Sequence, residues 1–205
     1  MLVGGTVKRL FAVRLVVKFV RACRLLPWLV EEFPGCRFVY LVRSPYAVVS
    51  SQLSRGASAY LDDRARPYDY LNEAKQPKPR TRELCDRIRA DAGEVLDEST
   101  VREIDTLEGC LSLSWYADNF VAQRAAAGSE AVLTIKYEDL LTDTTAELER
   151  IYTHAGVEGP PITSVHVKNP KRQLRKWKEH LSDRQVELIR TALQTMEGAH
   201  GSLTE

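Results

Sequence analysis

Apolar and polar positions along the chain follow two periods, one typical of strands and one typical of helices. Short apolar runs bounded by charged or turn-forming residues predict three strands: Phe11–Val20, Arg37–Arg43 and Ala131–Tyr137. The second and third runs are almost continuously apolar, which is typical of strands buried on both faces of a parallel sheet. We therefore expect the sheet to be parallel and covered by helices.

Apolar residues at helical spacing predict the helices between and after these strands. Ser44 followed by Pro45 is typical of a helix start, and Ser182-x-x-Gln185 has the pattern of a capping box. The predicted helices are Arg21–Phe33, Tyr46–Leu53, Arg82–Ala92, Leu107–Ala127, Thr145–Ala155 and a last one from Ser182 to about Met196. Strands and helices that alternate with short links indicate βαβ units, so the predicted fold class is α/β.

The length and composition limit the organisation of the chain. The 205 residues suit a single domain spanning 1–205, in which 54–130 forms an irregular and helical insertion. Lys plus Arg number 29 and Asp plus Glu 28, so bulk charge does not indicate a nucleic-acid binder. No apolar run reaches the length of a membrane span, and Lys8, Arg9, Arg14 and Lys18 interrupt the N-terminal apolar segment, which disfavours a signal peptide.

Cysteine and histidine spacing predicts neither a disulfide framework nor a metal site. Cys23, Cys36, Cys85 and Cys110 are irregularly spaced and include no C-x-x-C pair. We expect reduced thiols in the core or half-buried, hence a reducing compartment and a cytoplasmic location. The four histidines lack metal-ligand spacing, so no metal is expected.

Three segments carry candidate chemistry. Arg43 ends a predicted strand and Ser51 lies about two turns along the next helix, an arrangement that suits an anion at the carboxyl end of a parallel sheet. The alternative is an Arg43 that pairs with a surface carboxylate. The basic run Lys168–Lys178 surrounds Trp177 and is also typical of a solvated face. Tyr137 and two acidic residues directly follow the last predicted strand.

Together these segments resemble the sulfotransferases that use 3′-phosphoadenosine 5′-phosphosulfate (PAPS). The run Phe33-Pro-Gly-Cys-Arg-Phe-Val-Tyr-Leu-Val-Arg-Ser-Pro-Tyr-Ala-Val-Val-Ser-Ser51 is similar to the 3′-phosphate motif of that family. The resemblance implies that Arg43 and Ser51 bind the 3′-phosphate. The segment Leu133–Leu140 is similar to the Tyr-Glu-Asp-Leu strand and helix of the family, which implies that Tyr137 lies near the adenine.

Two further segments extend the resemblance. The tail Trp177–Ser182 is similar to the C-terminal tryptophan-lysine motif, and it implies that a preceding basic loop with Lys171 and Arg172 covers the 3′-phosphate. The segment Val17–Arg21 resembles a strand of the carbohydrate-directed members, which implies that Lys18 and Arg21 are the catalytic cations. The donor is then PAPS, without a metal, and the acceptor is a carbohydrate or small molecule that bears a hydroxyl or amine.

The resemblance also implies a fold, and the sequence departs from the family pattern at two places. The fold is the three-layer P-loop-type sulfotransferase fold with a mostly parallel sheet, here expected to lack the first strand and the phosphate loop. Gly4-Gly-Thr6 has a similar composition to that loop, but no predicted strand precedes it, so we do not assign it as the phosphate loop. Val20 stands where the cytosolic branch has its catalytic histidine, so no general base is identified. Two alternatives stay open: a truncated or non-catalytic relative that only binds the nucleotide, and a polyanion-binding protein.

Overall fold

The computed structural model describes residues 16–19, 22–55, 79–158 and 169–203. Within these ranges the chain forms a short 3₁₀ helix (Cys23–Leu25), nine α-helices and two strands. In chain order they are α1 (Leu26–Glu32), β1 (Phe38–Val42), α2 (Pro45–Arg55), α3 (Pro79–Ala92), α4 (Glu98–Glu103), α5 (Leu107–Ala127), β2 (Val132–Lys136), α6 (Tyr137–Thr142), α7 (Thr144–Ala155), α8 (Pro170–His180) and α9 (Asp183–His200).

The two described strands pair in parallel, in a register that runs from Phe38 opposite Val132 to Val42 opposite Lys136. The described part of the chain is thus mostly helical with a small parallel sheet, which confirms the predicted α/β class. Because both strands end at the same level, the segments that follow them emerge side by side.

The prediction that β1 is buried on both faces is wrong. Tyr40 and Val42 are buried, whereas Val39 and Leu41 are 43% and 50% exposed. Successive side chains of a strand point to opposite faces, and the described residues cover only the face of Tyr40 and Val42. A continuous apolar run therefore does not establish burial on both faces.

Helix α5 forms the centre of the core and packs against β1, β2, α3 and α9. Residues 111–117 of α5 are all buried, as expected of a helix surrounded by other elements. Thr106 caps its first turn by accepting a hydrogen bond from the Gly109 amide at 3.1 Å. The sequence predicted the bounds of this helix correctly.

The N-terminal part of the described structure is attached to α5 by a charged cluster. Arg24 Nε donates to Asp118 Oδ1 at 2.7 Å, and its NH1 donates to the Asp91 carbonyl oxygen at 2.9 Å. Burial raises the pKa of the Asp118 carboxyl, while the Arg24 guanidinium opposes that shift. This cluster connects the 3₁₀ helix with α3 and α5.

Other predictions need correction. Residues 16–19, part of the predicted strand Phe11–Val20, form neither a helix nor a strand and are exposed, since no described residue pairs with their backbone; residues 11–15 and 20 lie outside the described ranges. Cys36 is exposed, unlike the predicted half-buried thiol, because it lies in the turn after α1; all four cysteines are free.

None of the described helices is long and apolar enough to cross a membrane.

Candidate active site

The carboxyl ends of β1 and β2 bring two predicted site residues together. Arg43 directly follows β1, and Tyr137 is the first residue of α6, directly after β2. The guanidinium carbon of Arg43 lies 4.8 Å from the centroid of the Tyr137 ring, within the range of a cation–π contact. The parallel register explains this contact, since it places the two strand ends next to each other.

The Arg43 side chain retains an unused hydrogen-bond donor. Its Nε atom is buried and has no hydrogen-bond partner within the described residues. A buried donor without a partner costs about 1–3 kcal/mol, which an anionic ligand placed beside it would recover. A guanidinium also presents several N–H groups in one plane, a geometry that matches two oxygens of a phosphate. The arrangement therefore suits an anion held at the end of β1.

A cleft of about 480 Å³ opens at this place. Its volume lies in the range of cavities that take nucleotide-sized ligands. Apolar walls come from Val42, Pro45, Trp115, Leu193 and Leu203. The polar side chains and backbone around it belong to Arg43, Ser44, Lys136, Glu138, Arg190, Gln194 and Glu197. The cleft thus combines apolar surface with cations and carboxylates.

One wall of the cleft is a single face of α9. Arg190, Leu193, Gln194 and Glu197 line it at helical spacing i, i+3, i+4 and i+7. Two bonds from α5 fix the residues that follow α9: Tyr116 Oη donates to the Gly201 carbonyl at 2.5 Å, and Gln123 Nε2 donates to the Leu203 carbonyl at 2.7 Å. Burial, with a smaller contribution from Glu197, raises the pKa of Tyr116 to about 12, so the phenol keeps its donating proton.

Ser51 lies about two turns along α2, as the sequence predicts, and is half-buried. Its neighbour in the 3′-phosphate motif, Arg43, lines the cleft, whereas Ser51 does not. A role for Ser51 in anion binding stays a prediction.

Lys171 and Arg172 lie in the first turn of α8 rather than in a loop, and both are exposed. The described part of the basic segment is helical because Pro170 stands at its first position and Leu174 and Trp177 follow at helical spacing; Lys168 lies outside the described residues. Helix α8 contacts α2 and α6, the two helices that start at the strand ends. Rings of Tyr46 and Trp177 stack with centroids 5.0 Å apart and connect α8 to α2. The basic helix is therefore attached beside the cleft.

Of the two predicted catalytic cations, only Lys18 belongs to the described residues, and it does not line the cleft. Lys18 is exposed in the segment 16–19, and Arg21 lies outside the described residues. Among the described side chains, no group of three or more His, Cys, Asp or Glu residues is placed to hold a metal ion.

Sequence reasoning missed Trp115, Lys136 and the α9 wall. Trp115 is distant from Arg43 in sequence, and only packing of α5 against β1 brings them together. For α9 a signal was present, since the capping box predicted the helix and its spacing predicts a common face. The pattern did not show what that face would contact.

Comparison with known proteins gives one match. The family model described as Sulfotransferase family matches residues 80–161, less than half of the chain. The match spans β2 and Tyr137 but not the Arg43–Ser51 motif, which lies outside it. The searches of curated proteins and of solved structures gave no match. The family match supports a sulfotransferase-family protein, and the α/β architecture is consistent with the sulfotransferase fold.

Proposed function

We propose that the cleft binds PAPS and that the chain transfers its sulfuryl group to a hydroxyl or amine of a carbohydrate or small-molecule acceptor. The observation that carries this proposal is Arg43, whose buried Nε has no hydrogen-bond partner among the described residues and whose guanidinium lies over Tyr137. The family match supports the reaction class. The donor and the acceptor class are our inference from the sequence motif and the cleft.

The nucleotide would bind with its 3′-phosphate on Arg43. The charged guanidinium of Arg43 would donate hydrogen bonds to phosphate oxygens. Its contact with the Tyr137 ring would hold the guanidinium plane in a fixed orientation. The adenine would lie near Tyr137. Lys171 and Arg172 on α8 would add positive charge from the neighbouring helix.

In the reaction, the acceptor oxygen or nitrogen forms a bond to sulfur while the bond from sulfur to the bridging phosphate oxygen breaks. The leaving phosphate takes up that bonding pair, and the acceptor proton passes to a base. Catalysis of this kind depends on positioning and on cations near the leaving oxygen. We propose Lys18 and Arg21 for this role, by the motif resemblance alone.

The proposal is tested by titration calorimetry with the desulfonated nucleotide, adenosine 3′,5′-bisphosphate. Arg43→Ala should weaken binding at least about tenfold, since a charged hydrogen bond contributes about 1.5–3 kcal/mol. Arg43→Lys should be intermediate, because lysine keeps the charge but not the planar fork. Ser51→Ala should have a smaller effect than Arg43→Ala.

Arg37 provides the matched control, because it is exposed and precedes β1 at the opposite end of the strand. Arg37→Ala removes the same charge and should leave the affinity unchanged. Equal affinity of wild type and Arg43→Ala would show that the anion site is elsewhere. Transfer of radiolabelled sulfate from PAPS to a panel of acceptors then separates an enzyme from a relative that only binds the nucleotide.

A second candidate function is binding of a polyanion such as a sulfated glycan. Its supporting observation is the exposed surface of α8, which carries Lys171, Arg172, Arg175, Lys176 and Lys178 against the single acid Glu179. Affinity for heparin and for immobilised nucleotide, each measured across a salt series, distinguishes the two functions. A polyanion binder loses heparin affinity steeply with salt and does not retain nucleotide.

A further inference from the structure

The peptide group that joins Arg43 to Ser44 is held on both sides by side chains from two other helices. The indole Nε1 of Trp115 donates a hydrogen bond to the Arg43 carbonyl oxygen at 3.0 Å. On the same peptide, the Ser44 N–H donates to Glu138 Oε1 at 3.0 Å. Trp115 belongs to α5 and Glu138 to α6. The carbonyl and the amide of one peptide thus have separate, sequence-distant partners.

Within the described residues, neither polar group of this peptide bonds to the backbone of a strand or a helix. The paired register of β1 ends at Val42, one residue before Arg43. The first N–H groups of a helix have no partner within the helix, and α2 begins at Pro45. Backbone groups that are partly withdrawn from water need partners, and the side chains of Trp115 and Glu138 provide them for this peptide.

The two hydrogen bonds to this peptide fix the backbone position from which the Arg43 side chain extends. The peptide is planar, so two bonds on its opposite edges determine its orientation and restrict ψ of Arg43 and φ of Ser44. The guanidinium then reaches the Tyr137 ring from a fixed Cα position. Trp115 is 7% exposed and packs in the core, so its indole provides a rigid anchor.

We propose that Trp115 and Glu138 are positioning residues, which bind the Arg43–Ser44 peptide and thereby hold Arg43 ready for a phosphate. This inference rests on the proposed nucleotide site. It assigns neither residue a contact with the phosphate. Its consequence is that both should affect the affinity gained from the 3′-phosphate, not nucleotide binding in general.

The readout is the dissociation constant of adenosine 5′-monophosphate divided by that of adenosine 3′,5′-bisphosphate. This ratio measures the affinity gained from the 3′-phosphate. Trp115→Phe keeps the aromatic ring but removes the donor, and Glu138→Ala removes the acceptor. Each should lower this ratio about threefold to tenfold, the loss expected for one hydrogen bond. Glu138→Gln keeps an acceptor oxygen and should restore the ratio to near the wild-type value.

Two controls match these changes. Trp28→Phe makes the same substitution at a half-exposed tryptophan of α1, and Asp139→Ala removes a carboxylate from the exposed neighbour of Glu138. Both should leave the ratio unchanged. Amide hydrogen exchange gives a readout that needs no nucleotide: the Ser44 amide should exchange faster in Glu138→Ala than in wild type and stay protected in Glu138→Gln.

The outcomes separate this inference from the proposed function. If Arg43→Ala lowers the ratio while Trp115→Phe and Glu138→Ala leave it at the wild-type value, the nucleotide site is supported and the positioning role is wrong. If the wild-type protein gains nothing from the 3′-phosphate, both proposals fail. A variant that lowers the affinities for both nucleotides equally has a structural effect only, which also contradicts the positioning role.

Discussion

The Arg43 guanidinium lies over the ring of Tyr137, with 4.8 Å between its central carbon and the ring centroid. The two residues are far apart in sequence and meet because each follows one of two parallel, adjacent strands. The contact covers one side of the guanidinium, and the buried Nε of the same side chain has no hydrogen-bond partner in the part of the chain that the structure describes. Within the described residues, Arg43 is thus oriented by an aromatic ring and keeps one donor free for a ligand.

Tyr137 should therefore contribute to nucleotide affinity through its ring. Tyr137→Ala removes the contact with Arg43 and the predicted platform for adenine, and we expect affinity for adenosine 3′,5′-bisphosphate to fall about fivefold or more. Tyr137→Phe keeps the ring and should bind within about threefold of wild type. Titration calorimetry measures both. Loss of the cooperative thermal transition in Tyr137→Ala would show instead that Tyr137 is needed for folding.

The basic helix α8 allows a test of position against bulk charge. The double variant Lys171→Ala/Arg172→Ala should weaken nucleotide binding about threefold to tenfold, as expected for partly screened charges beside a phosphate. The double variant Arg175→Ala/Lys176→Ala removes the same charge from exposed positions of the same helix. We expect it to change the affinity less than about twofold. Equal losses in the two variants would mean that only the net charge of α8 matters.

Much of the fold follows from local pattern. The apolar spacing of Leu107–Ala127 predicted α5 with its observed bounds, and the capping box at Ser182 predicted the start of α9. These features are encoded within a few residues of each other, so the sequence shows them directly. The burial of β1 could not be predicted in this way, because the exposure of Val39 and Leu41 depends on which sequence-distant elements cover each face of the strand.

The candidate site was predictable only in part. Arg43 and Tyr137 could be identified because strand ends and parallel pairing are visible in the sequence. Trp115 and the α9 face could not, since helical periodicity shows which residues share a face and not where that face packs. The resemblance implies a loop at Lys171 and Arg172, whereas Pro170 followed by Leu174 and Trp177 has the spacing of the helix that the structure contains.

Two glycines should respond in opposite directions to the same substitution. Gly156 ends α7 with φ 60°, in the left-handed region, so Gly156→Ala should destabilise the protein by about 1–2 kcal/mol. Gly198 lies within α9, and a Cβ added there meets no described atom within 4 Å apart from its chain neighbours and the backbone of its own helix. Gly198→Ala should stabilise the protein by about 0.5–1 kcal/mol. Urea denaturation measures both, and changes of the same sign would contradict the assigned backbone conformations.

Asp97 should make stability depend on acid pH. It caps α4 by accepting hydrogen bonds from Ser99 Oγ at 2.5 Å, Thr100 Oγ1 at 2.6 Å and the Thr100 amide at 2.9 Å. These bonds, led by that from Ser99, hold the pKa of the Asp97 carboxyl well below its ordinary value of 3.8. His200 Nε2 also lies 2.9 Å from Asp97 Oδ2.

A carboxyl whose pKa is lower in the folded state binds fewer protons there than in the unfolded chain. Its contribution to stability is therefore complete well above pH 3.8, the unfolded value, and is lost progressively as the pH falls below it. Asp97→Ala should lower the melting temperature most near pH 7, and the difference from wild type should narrow under acid conditions. Asp86→Ala is a suitable control, because that exposed carboxylate pairs with Arg89 on the helix surface at 2.9 Å and caps no helix. A difference between wild type and Asp97→Ala that stays constant from pH 7 into the acid range would show that the cap does not depend on ionisation of Asp97.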